Sequence, residues 1–317
     1  MKIYSLFFSL TLTILFVGIH SATLTVKNNC QNTIWPATLT GGTDAAQLSN
    51  TGFELASQAS FSLDVPASWT GRIWARTQCS SDNSGRFTCA TADCGSGQVT
   101  CNGMGGAPPA SLAEFTLASE GRQDYYDLSL VDGFNLPVSI TPQGGSGPTC
   151  TTTNCAANPH FIHICSSACC TLLLSFYSSI SIIFAAKLLH FAAKLQLHSL
   201  SISSLIAAMK WQFHFIISAG LIATFFAIIP TNAVCPSELA LTGSDESIIG
   251  CKSACVVFNQ PQCCCTGQYN SADTCKPTNY SMIFKNQCPQ AYSYAYDDRS
   301  STFSCTGGPN YLITFCP

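Results

Sequence analysis

Twenty cysteines in a chain of 317 residues constrain its fold more than any other feature. A compartment that keeps thiols reduced rarely holds so many on one protein, so the count predicts an oxidising destination and a disulfide framework. The N-terminus agrees with that destination. Lys2 precedes an almost wholly apolar or hydroxylic run from Ile3 to Gly18, and His20-Ser21 then leads into the alternating, strand-like Ala22–Val26. Residues 1–21 therefore read as a signal peptide cleaved after Ser21, with an uncleaved anchor as the alternative.

The formal net charge of −3 understates how acidic the remainder is. Lys2 lies in the signal, and Lys187, Lys194 and Lys210 lie in a central apolar stretch; setting them aside leaves nine basic against sixteen acidic residues, a balance of −7. A surface of that sign is a poor partner for nucleic acid or an anionic membrane.

From Ala22 to about Cys150 the chain reads as short strands between turns. Thr23–Val26, Phe61–Val65, Arg72–Arg76 and Tyr126–Val131 alternate or carry β-formers, and Gly41-Gly42, Pro66, Asn83-Ser84-Gly85, Gly105-Gly106 and Asp132-Gly133 punctuate them. Such spacing suggests a β-sandwich or barrel. Ser247–Phe258 reads differently: Cys251 and Cys255 are four apart, which would put both sulfurs on one face of a helix. Beyond Pro261 the chain is loop-rich and cysteine-dense, and it returns to strand character at Tyr311–Phe315.

Between Pro159 and Thr231 the composition changes abruptly. No Asp or Glu occurs there, Leu, Ile, Phe, Ser and Ala dominate, and five of the six histidines (His160, His163, His190, His198, His214) fall inside it. Cys169–Ala186 and Trp211–Ile229 are each long enough to span a bilayer, and the second follows Met209-Lys210 as a signal peptide would. Three origins compete: a membrane insertion, a fused second signal, and translated non-coding sequence such as a retained intron. The Leu/Phe/Ser/Ile bias favours the last, because pyrimidine-rich non-coding DNA encodes it.

The run Gly85-Arg-Phe-Thr-Cys89-Ala-Thr-Ala-Asp93-Cys94-Gly-Ser-Gly97-Gln-Val-Thr-Cys101 carries a family signature, G-x-[GF]-x-C-x-T-[GA]-D-C followed by G and C. Arg72–Thr77, Pro108–Phe115, Tyr126–Asn135, Gln287–Tyr294 and the terminal Tyr311–Pro317 accompany it. In these residues the chain resembles the thaumatin-like, or pathogenesis-related class 5, proteins, and looks most like the acidic fruit-type members. The resemblance covers a first block, 22–158, and a second block, 232–317, and leaves 159–231 as an insertion foreign to the family.

The resemblance implies a mainly β fold of three parts. These are a β-sandwich built from both ends of the chain, a helix-containing disulfide-rich domain over about 235–288, and a small stapled loop region at 76–113. It also accounts for the cysteines. Cys165, Cys169 and Cys170 belong to the insertion, and Cys263 stands where the family usually has an aromatic residue, which leaves the family's sixteen. The implied pairs are Cys30–Cys316, Cys79–Cys89, Cys94–Cys101, Cys150–Cys305, Cys155–Cys288, Cys235–Cys251, Cys255–Cys264 and Cys265–Cys275. No metal or other cofactor is expected, since the matching blocks contain no histidine to serve as a ligand.

The family's acidic cleft maps onto Arg72, Glu114, Asp127, Asp132 and Asp297, with Asp298 as the neighbouring alternative for the last. Carboxylates accept hydrogen bonds from sugar hydroxyls and aromatic faces cover the apolar side of the ring; Phe115, Phe134, Tyr292, Tyr294 and Tyr296 are close to them in sequence. Each carboxylate has a plainer alternative as a solvated or salt-bridged surface group, Asp132 as a turn residue before Gly133, and Arg72 as a clamp on the sheet edge. What the resemblance implies is a secreted, apoplastic or vacuolar, monomeric antifungal defence protein that binds β-1,3-glucan or a related fungal wall polysaccharide. The alternative is an endo-β-1,3-glucanase with Glu114 as acid and Asp132 as its partner carboxylate, since glycoside hydrolysis needs two carboxyls. A serine or cysteine nucleophile is excluded, because no histidine base exists outside the signal and the insertion. A membrane partner is expected only if the insertion is genuine. Asn279-Tyr280-Ser281 is a glycosylation sequon, with Asn279 as acceptor.

Overall fold

The computed structural model describes residues 22–42, 45–118, 122–157 and 235–317. The segment 1–21, the apolar stretch 159–231 and the cysteines Cys165, Cys169 and Cys170 lie outside the described residues.

Period-two alternation of apolar and hydroxylic side chains produces two sheets. The first orders β3 (Ser60–Val65), β1 (Ala22–Asn28), β13 (Asn310–Phe315), β8 (Val138–Gln143) and β9 (Thr153–Cys155). The second orders β12 (Phe303–Cys305), β7 (Asp124–Ser129), β6 (Leu112–Thr116), β4 (Thr70–Ser81) and β2 (Trp35–Thr40). β5 (Phe87–Thr91) pairs with the long end of β4. A separate two-stranded piece joins β10 (Ala240–Thr242) to β11 (Ile248–Cys251). β1 and β13, from the two ends of the described chain, run parallel with Leu24 opposite Tyr311 and Val26 opposite Ile313.

The alternation decides what each sheet buries. Leu24, Val26, Ile140, Ile313 and Phe315 of the first sheet share one core with Ile73, Phe115, Tyr126 and Leu128 of the second. Tyr311 packs at ring distances of 5.2 Å from both Phe115 and Tyr126, and its hydroxyl donates to Asp124 Oδ2 at 2.9 Å. The opposite face of the second sheet carries a smaller core, in which Trp74 packs with Ala92, Cys94, Cys101, Ala110 and Leu112 and donates its indole N–H to the Ala92 carbonyl at 3.0 Å. Arg72, two residues before Trp74, shares that face.

All eight cysteine pairs expected from the resemblance are bonded in this structure, and among the described residues Cys263 is the free one. Each native bridge of this kind typically contributes about 2–5 kcal/mol. Cys30–Cys316, Cys150–Cys305 and Cys155–Cys288 tie the first block to the second across separations of 286, 155 and 133 residues. Both blocks belong to one compact unit.

The expected single helical face for Cys251 and Cys255 does not form. Cys251 ends strand β11 and bonds Cys235, whereas Cys255 sits in α1 (Ala254–Phe258) and bonds Cys264 of α2 (Pro261–Cys264). Two local features break the helix. The Cys251 backbone exchanges hydrogen bonds with Phe134 at 2.7 and 2.8 Å, and a Cβ at Gly250 would meet Pro109 at 2.7 Å, so this segment is extended and tightly covered. Ser253 then caps the helix from outside, its hydroxyl accepting from Val256 N–H. Among the described residues the remaining α-helices are α3 (Asn279–Gln287) and α4 (Asp298–Ser301), with one 3-10 turn at Gly267–Tyr269. Thr278 and Ser281 form the capping box of α3, so the sequon's hydroxyl is buried in a reciprocal hydrogen bond while Asn279 is exposed. Among the described residues no helix is long and apolar enough to cross a membrane.

Candidate functional site

Strand register assembles the site. Arg72 on β4 stands opposite Glu114 on β6, and Glu114 stands opposite Asp127 on β7. Residues directly opposite in a ladder point to the same face, so the three side chains form one row across three strands. That row lines a cavity of about 280 Å³, together with Leu112, Ser129, Val131, Asp132, Tyr292 and Ala295.

Asp132 reaches the cavity from the turn after β7, where Gly133 N–H bonds the Leu130 carbonyl at 2.9 Å. Gly133 has φ of +94°, and a Cβ there would lie 2.4 Å from the Cys251 carbonyl oxygen. Glycine is thus required by both conformation and space. Asp132 therefore stands in a turn, as its plainer reading has it, and also lines the cavity. Its Oδ2 lies 4.0 Å from Arg72 Nη1, with both side chains a little over one-third exposed.

The electrostatics run along the row. Burial raises the Glu114 carboxyl above its ordinary range, opposed by the Arg72 guanidinium and reinforced by Asp132. Burial also raises Asp132, again opposed by Arg72. Asp127 is furthest from the cation: burial, then the charges of Glu114 and Asp298, push it up to about 8. Its Oδ1 is buried without a hydrogen-bond partner. The Tyr292 hydroxyl lies 2.9 Å from Asp298 Oδ1 and 2.5 Å from Thr302 Oγ1, which fixes the phenol at the cavity wall, and burial raises its pKa.

Four of the five residues mapped from the resemblance, Arg72, Glu114, Asp127 and Asp132, line the cavity; Asp297 does not. Asp297 pairs with Lys285 at 2.9 Å and accepts from the Ser293 N–H and hydroxyl, in a nearly enclosed position that anchors the segment before α4. Asp298, its neighbour, is the one whose charge reaches the site.

Two of the five aromatic candidates are misplaced for sugar stacking. Phe115 follows Glu114 on β6 and therefore points the opposite way, into the main core, and Phe134 is buried in the same core cluster. Tyr292 lines the cavity, while Tyr294 lines a separate small pocket with Cys263. Tyr296 is half-buried. Sequence reasoning missed Ser129 and Leu112; both lie two residues along the same strands from Asp127 and Glu114, and period-two alternation would have found them. Among the described residues no three His, Cys, Asp or Glu side chains cluster as metal ligands.

The arrangement suits a neutral, hydroxyl-rich ligand: carboxyl groups accept from hydroxyls, the guanidinium donates, and Leu112, Val131 and Ala295 supply apolar surface.

Comparison with known proteins gives the lineage. The chain is 50% identical to thaumatin-like protein 1 of Pyrus pyrifolia, over 95% of this chain and 93% of that one. It is 49% identical over the whole length of both to a Prunus avium protein named glucan endo-1,3-beta-glucosidase. The solved structure of the thaumatin-like xylanase inhibitor TLXI shares 37% identity across 39% of this chain and 78% of its own, with a TM-score of 0.33. The model of the thaumatin family matches residues 28–174 and 219–317. The chain belongs to the thaumatin family.

Proposed function

We propose that this chain is a secreted plant defence protein that binds β-1,3-glucan of fungal walls in the acidic cavity and acts as an antifungal binder. The observation that carries the proposal is the row Arg72–Glu114–Asp127 with Asp132 beside it, a set of donors and acceptors that matches a polyol better than an ion or an apolar ligand. The glucanase name borne by the Prunus avium relative supports the choice of polymer. Eight disulfides favour an extracellular or vacuolar location. The test is laminarin affinity of the purified protein beside Arg72→Ala and Glu114→Gln. Loss of binding in both variants supports the proposal, and unchanged affinity in both sinks it.

Hydrolysis is the second function that an observation favours. Burial holds Glu114 above the ordinary carboxyl range, the direction a proton donor requires, and Asp132 with Arg72 beside it provides a partner carboxylate. Reducing-sugar release from laminarin, abolished by Glu114→Gln while binding persists at a measurable level, would select the hydrolase. Binding without release leaves the lectin-like function.

We further propose that the stretch 159–231 is translated non-coding sequence. In support, the stretch has no Asp or Glu and is dominated by Leu, Ile, Phe, Ser and Ala, the bias that pyrimidine-rich non-coding DNA encodes. Association with a membrane follows only if that stretch persists in the mature protein, and monomeric behaviour is expected without it.

A further inference from the structure

We propose that Asp127 is a second hydrogen-bond donor of the cavity beside Arg72, offering a carboxyl O–H to an acceptor oxygen of the bound saccharide while Glu114 and Asp132 accept from its hydroxyls. The assignment deepens the glucan-binding proposal and rests on it.

The register sets the distribution of charge. Arg72 stands opposite Glu114 and 4.0 Å from Asp132, so the guanidinium serves those two carboxyls. Asp127 is one strand further away. What faces it from each neighbouring element is acidic or neutral: Glu114 from β6, Asp298 from α4, and the Tyr292 phenol from the segment bridged to β7 at Ser129. Lys285 on α3 is committed to Asp297 at 2.9 Å and to the Ala291 carbonyl and Ser301 hydroxyl.

Solvation points the same way. Asp127 Oδ1 is buried and has no hydrogen-bond partner, so water cannot stabilise charge there, and an ionised carboxylate would leave that oxygen unsatisfied. A neutral carboxyl removes most of this cost and leaves Oδ2 as the oxygen available to a ligand in the cavity that Asp127 lines. The rise of the Asp127 carboxyl to about 8 agrees with this geometry. A donor at this position adds to Arg72 a second one at the other end of the row. It can recognise a ring or glycosidic oxygen, which carries no proton, and so distinguish a saccharide by its linkage face rather than by its hydroxyls alone.

Two measurements on the folded, disulfide-intact chain test it. In the first, carboxyl-carbon NMR of aspartate-labelled protein, assigned through Asp127→Asn, follows ionisation without ligand. The expected Asp127 titration is centred near neutrality or above, and a midpoint below about pH 5 overturns the assignment. In the second, laminaritetraose affinity is measured from about pH 5 to 9 for the unmodified protein, Asp127→Asn and Asp127→Ala. The unmodified protein should lose about tenfold in affinity as Asp127 ionises, and the asparagine variant, which keeps an N–H donor, should lose that pH dependence and bind more tightly than the alanine variant. Parallel pH profiles for the unmodified protein and Asp127→Asn overturn the donor role. If laminaritetraose binds at no pH, the glucan-binding proposal falls, and the NMR midpoint alone then decides the protonation of Asp127.

Discussion

Glu114 stands directly opposite Asp127 in the β6–β7 register and directly opposite Arg72 in the β4–β6 register, so one carboxyl is flanked by a cation and the other is not. The two acids therefore differ although they are neighbours on one face: the guanidinium opposes the rise at Glu114, and nothing opposes it at Asp127.

This asymmetry has a stability consequence with a definite sign. Asp127 titrates near 8 in the folded protein and near the ordinary aspartate value of about 3.9 when unfolded, so between these values the native state holds a proton that the unfolded chain has released. Stability contributed by this group is fully present below about pH 4 and is lost as pH rises toward about 8. Asp127→Asn should match the unmodified protein near pH 4 and exceed it at pH 8 by on the order of 5 kcal/mol, the four-unit window times about 1.4 kcal/mol per unit. Urea unfolding at the two pH values checks this, and a pH-independent difference would refute it.

Removing the cation should move its partners. In Arg72→Met, Glu114 and Asp132 lose the charge that opposes their rise, and both should titrate at higher pH than in the unmodified protein. Carboxyl-carbon NMR reads both shifts at once; an unmoved Glu114 would mean that Arg72 does not act on it.

Asp297 is expected to matter for stability. Asp297→Ala leaves Lys285 charged and mostly enclosed beside α3, a loss of about 3–5 kcal/mol for a broken buried pair. Removing both charges with Lys285→Met should recover much of it. Denaturant midpoints of the two single variants and the double variant measure the coupling, and additive losses would contradict the pairing.

Gly133→Ala should disturb the site through the backbone. The added methyl must avoid the Cys251 carbonyl and adopt a positive φ, so a loss of at least about 2 kcal/mol is expected together with weaker laminarin binding from a displaced Asp132. A variant with unchanged midpoint and affinity would show that the turn tolerates a side chain.

Deleting 159–231 should raise the yield of soluble, correctly bonded protein, and replacing Cys263 by tyrosine should reduce disulfide-scrambled species, because a free thiol beside two bonded cysteines is positioned for exchange. Comparable secretion with and without the stretch would sink the first expectation, and identical non-reducing gel patterns the second.

How much of this is readable from the sequence depends on range. Thr23–Val26 and Tyr311–Phe315 announce themselves by alternation, since one buried face is a local property. That they lie side by side and parallel is not local, and no periodicity could supply it. The cysteine pattern of Ser247–Phe258 looks helical by spacing alone. It fails because Gly250 is covered by Pro109 and because Phe134 pairs with Cys251, contacts made more than a hundred residues away. Asp297 and Asp298 are indistinguishable by motif; which one is tied to Lys285 depends on how α3 packs. The row Arg72–Glu114–Asp127 is likewise a product of register, and its charge gradient follows from that register and from burial.

The parallel pairing of β1 with β13 also bears on synthesis. β1 pairs on one side with the nearby β3, but β13 and Cys316 follow only much later, Cys316 being 286 residues beyond Cys30. The first sheet therefore stays incomplete until β13 has been made, and a chain that stops before it leaves β1 without that neighbour. Until then the Cys30 thiol lacks its partner and is open to pairing with any cysteine already made.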